Sequence, residues 1–393
     1  MSDKARVIGV SMVKFAKPGA HEPYEIMAAE AVRGALDDAG IDYSKVQQAY
    51  AGYVYGDSTC GQRAVYEVGM TGIPVFNLNN YCASGSSALL LARQAVESGR
   101  IDCALAVGFE EMTPGALGSA FTDRTSPVGW IHERRAELRP DLPTEAPRAI
   151  QAFGAAGVEY LEKYDANPEI FGRVAVKTRT HATRNPYALF TRPMTLDDVM
   201  NAPQLYPHMT RFMACPPTCG AAAAVVVSAS FAEKHGITGG VEIVAQSMTT
   251  DTEKTKENLM DLVGADMTRR AAAEVYEISG LGPEDVDVVE LHDCFIPNEV
   301  ISYEGLGLCP EGGAEKFIVD GDNTYGGRYV VNPSGGLMSK GHPLGATGLA
   351  QCTELVWHLR GTAGDRQVPD AKVALQHNIG LGGACVVTMY RAV

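Results

Sequence analysis

The stretch AVRGALDDAGIDYSKV (31–46) is matched, without a gap and 240 residues later, by AAAEVYEISGLGPEDV (271–286). Each reads as the end of a helix, a glycine at its C-terminal cap, a short turn, and a valine opening a strand. A second pair follows in the same order. CASGSSA (82–88) aligns with HPLGATG (342–348), so that Gly85 falls on Gly345, Ser87 on Thr347 and Cys82 on His342. Two aligned stretches in the same order point to an internal duplication. Such a duplication can bring the cysteine turn and the histidine turn face to face across a pseudo-two-fold axis.

Around these repeats, strand-like and helical runs alternate. RVIGVSMVKF reads as a strand, YEIMAAEAVRGALDDAG as a helix ending at Gly40, and VQQAYAGYVYG and IPVFNLN as strands. A helix over 86–98 and the apolar strand CALAVGF come next. The alternation predicts α/β layers around a largely parallel sheet. The rhythm breaks over residues 120–218, which are rich in Arg, Pro, Tyr and His and include the helical APRAIQAFGAAGVEYLEKY. It resumes at AAAAVVVSAS (221–230). The expected organisation is therefore an N-terminal half (1–119 with 219–240), an inserted domain (120–218) and a C-terminal half (241–393).

Composition narrows the function. At 393 residues, 46% hydrophobic and 20% charged, the chain has material for more than one domain and a large core. A net charge of −14 argues against nucleic acid or an anionic membrane as the main partner. The acidic excess is uneven, since residues 121–215 carry 12 Lys and Arg against 11 Asp and Glu. This neutral, Arg-bearing segment suits either a solvated insertion or contact with a small anion. No apolar run reaches the roughly 18 residues of a membrane span, and the N-terminus has no leader pattern. The nine cysteines are odd in number and scattered, a reduced intracellular pattern. The one close pair, Cys215 and Cys219 in CPPTC, has no second pair or nearby histidine to make a zinc site, and reads as a structural loop. No metal is expected.

Four segments carry the chemistry. Cys82 precedes a helix that is apolar nearly all round, so the helix is buried and its N-terminus is expected to lower the thiol pKa. In NPSGGLMSKGHPLGATG (332–348), Pro343 stiffens the turn after His342, which can take a thiol proton or donate to an acyl oxygen. In VDVVELHDCFIPNE (286–299), His292, Asp293 and Cys294 gather where a strand ends. Their spacing favours acid/base work over metal ligation, with Asp293 as a turn residue. In LQHNIGLGGACVV (375–387), a glycine loop follows His377 and Asn378 and can aim backbone N–H groups at an oxyanion.

In this order, these elements resemble the thiolase superfamily across essentially the full chain, and most specifically its sterol carrier protein X type. NNYCASGSSA looks like the family's Cys-x-Ser loop, GGLMSKGHPLGATG like its Gly-His-Pro loop, and HNIGLGGA like its last catalytic loop. Most thiolases read Asn-Glu-Ala-Phe in the third element and carry a second cysteine in the last loop. Here the third element is His292-Asp293-Cys294-Phe295, and Asn378 stands in place of that cysteine, as in the sterol-carrier type. A departure is Cys219, where related thiolases usually have Asp.

The resemblance implies a thiolase fold: a duplicated five-layered αβαβα core with an inserted loop domain over the substrate. It implies cleavage of 3-oxoacyl-CoA by coenzyme A, a co-substrate rather than a bound cofactor, in fatty acid or sterol side-chain degradation. Cys82 would be the nucleophile, His342 its activator and Cys294 the acid/base. One oxyanion site would use His342 and His292; the other would use the backbone N–H groups of Cys82 and Gly380. Ser84, Gly341 and Asn378 would support them. A homodimer or dimer of dimers is implied as well. Without a leader or a Ser-Lys-Leu-like ending, a cytoplasmic location is expected. The alternatives are a thiolase-fold retro-aldolase, a non-catalytic acyl-CoA or lipid-binding protein, and a condensing enzyme using carrier-protein substrates.

Overall fold

The computed structural model describes residues 4–115 and 121–393. The expected boundary between 119 and 120 lies outside the described residues. The strands are β1 (Ala5–Met12), β2 (Gln48–Gly52), β3 (Val75–Leu78), β4 (Cys103–Glu110), β5 (Gln204–Tyr206) and β6 (Met209–Thr210). They continue with β7 (Gly220–Ser228), β8 (Val241–Thr249), β9 (Val288–Glu290), β10 (Val330–Val331), β11 (Val373–Gly380) and β12 (Ala384–Ala392).

Two five-stranded sets share one topology. The first runs β3-β2-β4-β7-β1 and the second β10-β9-β11-β12-β8. In each, the first strand of the half lies at one end beside the last, and the shortest strand lies at the opposite edge. The sets meet edge to edge through two residue pairs of β1 and β8, Arg6 with Glu242 and Val7 with Val241. The repeat read in the sequence is thus a repeat of strand order.

The expected largely parallel sheet needs correction. β2 runs parallel to β3 and β4, and β9 parallel to β10 and β11, but β7 is antiparallel to both β1 and β4. β12 is likewise antiparallel to β8 and β11. In the second half the cause is local. Only Leu381, Gly382 and Gly383 join β11 to β12, and a connection that short permits only a hairpin. Gly382 and Gly383 take φ of +100° and +111°, which side-chain-bearing residues rarely adopt.

Helices fill three layers. The helix Tyr24–Ala39 packs on β1 and β7, and its counterpart Ala265–Ser279 packs on β8 and β12. Both end at a left-handed glycine, Gly40 (φ 65°) and Gly280 (φ 67°), and each leads through a short 3-10 turn to a valine. Between the two sheets lie the helices Ser84–Glu97 and Thr347–Arg360, packed on each other. Their apolar surface is buried on every side because a sheet or the partner helix faces each one.

Residues between β4 and β7 add the helices Gly129–Leu138, Arg148–Tyr164, Glu169–Ala182 and Leu196–Met200 and the β5–β6 hairpin. They share one hydrophobic core with the second half, where Phe153 stacks on Phe295 and Gly157 admits Pro297. No helix among the described residues is long and apolar enough to cross a membrane.

Candidate active site

Cys82 sits in the turn between β3 and the first central helix. Tyr81 before it adopts φ +49°, an uncommon conformation for an aromatic residue and a form of strain that collects at functional sites. Ser84 holds this turn: its hydroxyl donates to the Tyr81 carbonyl (2.6 Å) and accepts from the Asn80 N–H (2.9 Å). Gly380, the last residue of β11, presses on the same turn, and a Cβ there would collide with the Asn80 carbonyl.

His342 reaches the same place from the second half. Gly341 (φ +122°) turns the chain against Thr218, whose hydroxyl accepts the His342 backbone N–H (3.1 Å). His342 Nδ1 lies 2.7 Å from the Thr347 hydroxyl, which itself donates to the Pro343 carbonyl (3.0 Å). With its only proton so committed, Thr347 must accept from Nδ1–H. That leaves the Nε2 lone pair bare, and Nε2 is buried with no hydrogen-bond partner among the described residues.

His292 follows β9, its ring 5.1 Å from that of His342 and nearly perpendicular to it (79°). Its Nδ1 lies 3.0 Å from the Asn378 amide nitrogen, which donates to it. One ligating atom each from Cys82, His292 and His342 lie within 4.8 Å of one another. These three, with Cys294, line a cavity of about 80 Å³. Asp293 faces away, accepting the backbone N–H groups of Leu337 (2.7 Å) and Met338 (3.4 Å), which fits the turn role expected for it.

Burial dominates the protonation states. The Cys82 thiol is pushed up to about 12, chiefly because it is withdrawn from water and secondly by the nearby Glu110 carboxylate. The expected lowering by the helix terminus is therefore overturned: burial pushes the thiol up instead. Burial holds the His342 imidazole down at about 3 and His292 well below its ordinary value, so both rings rest neutral. Cys294 is raised well above a free thiol by burial, then by Cys215 and Cys82. The resting site is a set of neutral thiols and neutral imidazoles. The trio can approach a metal, but the Asn378 contact makes His292 Nδ1 an acceptor and leaves the proton on Nε2. A ring presenting N–H suits an oxygen better than a cation.

Cys215, read in the sequence as part of a structural loop, also lines this cavity. An antiparallel bridge pairs Ala214 with Phe295, and Cys215 donates its N–H to the Cys294 carbonyl (3.0 Å), placing the two cysteines opposite each other. Nothing local in the sequence signals this, because the register joins segments far apart in the chain. Cys219 is elsewhere, its sulfur accepting the Met112 N–H (3.2 Å).

The smaller cavity shares Ser126, Arg148, Cys215 and Phe295 with a larger one of about 1450 Å³. Lys17, Arg124, Arg148, Arg179, Arg192 and Arg211 line the larger cavity against a single carboxylate, Asp198. Arg179 is 9% exposed, lies over the Phe190 ring, and has no carboxylate partner among the described residues.

The geometry agrees with comparisons to known proteins. Residues 6–203 match the family model "Thiolase, N-terminal domain" and residues 247–390 match "Thiolase C-terminal domain-like". The chain is 52% identical to sterol carrier protein 2 of Homo sapiens, over 98% of this chain and 71% of that protein. Among solved structures, an Ltp2-ChsH2(DUF35) aldolase superposes with a TM-score of 0.84 at 24% identity, covering 99% of this chain and 98% of that one. Human mitochondrial 3-ketoacyl-CoA thiolase in complex with CoA gives 0.72 at 17%, covering 100% and 98%. At those identities the two structures speak for the fold alone. The chain belongs to the thiolase family, a family of acyltransferases, and is close within it to sterol carrier protein 2.

Proposed function

We propose that this protein cleaves 3-oxoacyl-CoA with coenzyme A, giving a shortened acyl-CoA plus acetyl-CoA or propionyl-CoA, in fatty acid or sterol side-chain degradation. The observation that carries the reading is the bare His342 Nε2 among two neutral thiols and a histidine presenting N–H. His342 takes the Cys82 proton as sulfur attacks the keto carbon. The carbon–carbon bond next to that carbon then breaks, and its electron pair becomes an enolate on the departing thioester. His342, now carrying Nε2–H, and His292 stabilise the enolate oxygen, and Cys294 protonates its carbon. The Cys294 thiolate next takes the proton of incoming coenzyme A, whose sulfur displaces the acyl group from Cys82. His342 returns its proton to Cys82. Backbone N–H groups of Cys82 and Gly380 would hold the thioester oxygen of the acyl-enzyme.

Coenzyme A is an anion with several phosphate charges, and the large cavity supplies cations for it, Arg179 among them without a carboxylate partner among the described residues. A buried guanidinium such as Arg179, without a carboxylate partner, is costly unless a ligand anion completes it. We assign phosphate contacts to Lys17, Arg179 and Arg192. These residues also give the neutral charge of the insertion a reason, since its cations gather on the cavity wall. A second copy of the chain suits the free edge of β3, which ends the sheet and carries the exposed Phe76, with Tyr66 and Met70 exposed in the segment before it.

The retro-aldolase alternative shares this fold, and a shared fold does not separate it from a thiolase. Cys82, Cys294 and His342 in one cavity favour the thiolase, because an aldolase needs no acyl-enzyme. Intact-mass measurement after mixing with 3-oxoacyl-CoA, without free coenzyme A, tests this. A thiolase gains an acyl group on Cys82, and Cys82→Ala gains none. An aldolase gains none in either form.

A further inference from the structure

His292 has two ring nitrogens and, being neutral, one proton between them. Only Nε2–H can donate into the cavity, because Nδ1 faces Asn378. What decides the position of that proton lies several residues away, in a chain of completely buried side chains.

The chain begins at Gln376, whose amide has only one possible orientation. Its Nε2 lies 2.7 Å from the Gly348 carbonyl, which only donors can approach, and its Oε1 receives the Tyr390 hydroxyl. The same Nε2 donates to the Ser86 hydroxyl (2.9 Å). With its acceptor side so engaged, Ser86 passes its proton to Asn378 Oδ1 (2.8 Å). That fixes the Asn378 amide, so Nδ2 must face His292 Nδ1 and donate to it (3.0 Å). Each link leaves one choice for the next.

We infer that the relay Tyr390–Gln376–Ser86–Asn378 positions His292 as an Nε2–H donor, and that an asparagine stands at 378 for this purpose. The relay joins both halves of the molecule: Ser86 belongs to the first central helix, while Gln376 and Asn378 belong to β11. Had a cysteine stood at 378, its weak S–H donor would be a poor determinant of the histidine tautomer. Asn378 and the histidine at 292 are thus one device. These four are positioning residues; His292 alone would touch the substrate. The inference rests on the proposed role of His292 at the enolate oxygen, but its direct readout does not.

The test is long-range 1H–15N NMR of the histidine rings in the 393-residue chain, with His292→Gln used only to assign the signals. The expected wild-type spectrum shows His292 with an unprotonated Nδ1 and a protonated Nε2. A protonated Nδ1 in the wild type overturns the relay outright. Asn378→Asp offers Nδ1 an acceptor in place of a donor, so the proton moves to Nδ1 or the ring becomes doubly protonated. On the proposed reaction, kcat then falls by about 10²-fold with KM little changed, the size of losing one oxyanion donor. Ser86→Ala frees the Asn378 amide and gives mixed tautomers. An unmoved His292 pattern in folded Asn378→Asp reduces these residues to packing. The expected spectrum in a protein that cleaves no 3-oxoacyl-CoA supports the relay and fails the proposed function, so the two fail separately.

Discussion

Gly85 and Gly345 touch across the pseudo-two-fold axis: a Cβ on Gly85 would stand 2.6 Å from the Gly345 carbonyl oxygen. Gly348 meets Ser86 just as closely. The cysteine turn and the histidine turn approach this near only because neither has a side chain at the crossing. Gly85→Ala must push backbone apart, since no flexible side-chain end is there to yield. We expect a stability loss of about 1–3 kcal/mol in denaturant titration, and a loss of activity larger than the fraction unfolded explains. Unchanged kinetics would mean that the spacing of the two turns is not critical.

Gly380 is the second such position. A side chain there collides with the Asn80 carbonyl in the Cys82 turn and displaces the N–H assigned to the thioester oxygen. Gly380→Ala should lower kcat by about 10²–10³-fold, the usual cost of an oxyanion donor, with a smaller effect on substrate KM. Steady-state kinetics on the folded variant reads both.

Arg179 gives a test of the coenzyme A assignment. Arg179→Gln leaves a shorter, polar side chain and removes the charge. A charge-assisted hydrogen bond contributes about 1.5–3 kcal/mol, so the KM for coenzyme A should rise roughly 10–100-fold. Added salt should raise that KM in the wild type more than in the variant. The rate of acyl-enzyme formation at saturating 3-oxoacyl-CoA should change little.

His181 supplies a pH test of the fold. It is buried between the Asn332 carbonyl (3.0 Å) and the Thr324 hydroxyl (2.7 Å), and burial, followed by the Lys177 charge, holds it at about 3. An unfolded histidine binds its proton near 6.5, so between these values the unfolded chain holds the extra proton. Stability from this group is full above about pH 6.5 and falls as pH drops toward 3. His181→Gln should therefore flatten the fall in unfolding free energy between about pH 6 and pH 4 by up to about 1.4 kcal/mol per unit. Denaturant titrations at several pH values check it.

Much of this architecture was legible because the duplication is written in local chemistry. Gly40 and Gly280 cap equivalent helices, and the apolar helix after Cys82 could only lie between layers. Strand direction was not legible, because the antiparallel course of β7 and β12 depends on connection and pairing rather than on composition. The motifs named Cys82, His292, Cys294 and His342 as a set, and the structure brings them to one cavity. The relay through Gln376 and Ser86, the bare Nε2 above Thr347 and the pairing of Cys215 with Cys294 were out of reach. The relay and the cysteine pairing depend on register between distant segments, and the local contact of His342 with Thr347 on ring orientation within a buried turn. The thiol pKa was misjudged for a related reason: a helix start is visible in sequence, but the depth at which it is buried is not.

The central claim is that Cys82 carries the acyl group and Cys294 moves the protons. The most direct measurement is cleavage of a medium-chain 3-oxoacyl-CoA with and without free coenzyme A, for the wild type, Cys82→Ala and Cys294→Ala. The account predicts cleavage that requires coenzyme A and is abolished by either substitution. Cleavage without coenzyme A, or an unchanged rate in Cys82→Ala, would contradict it.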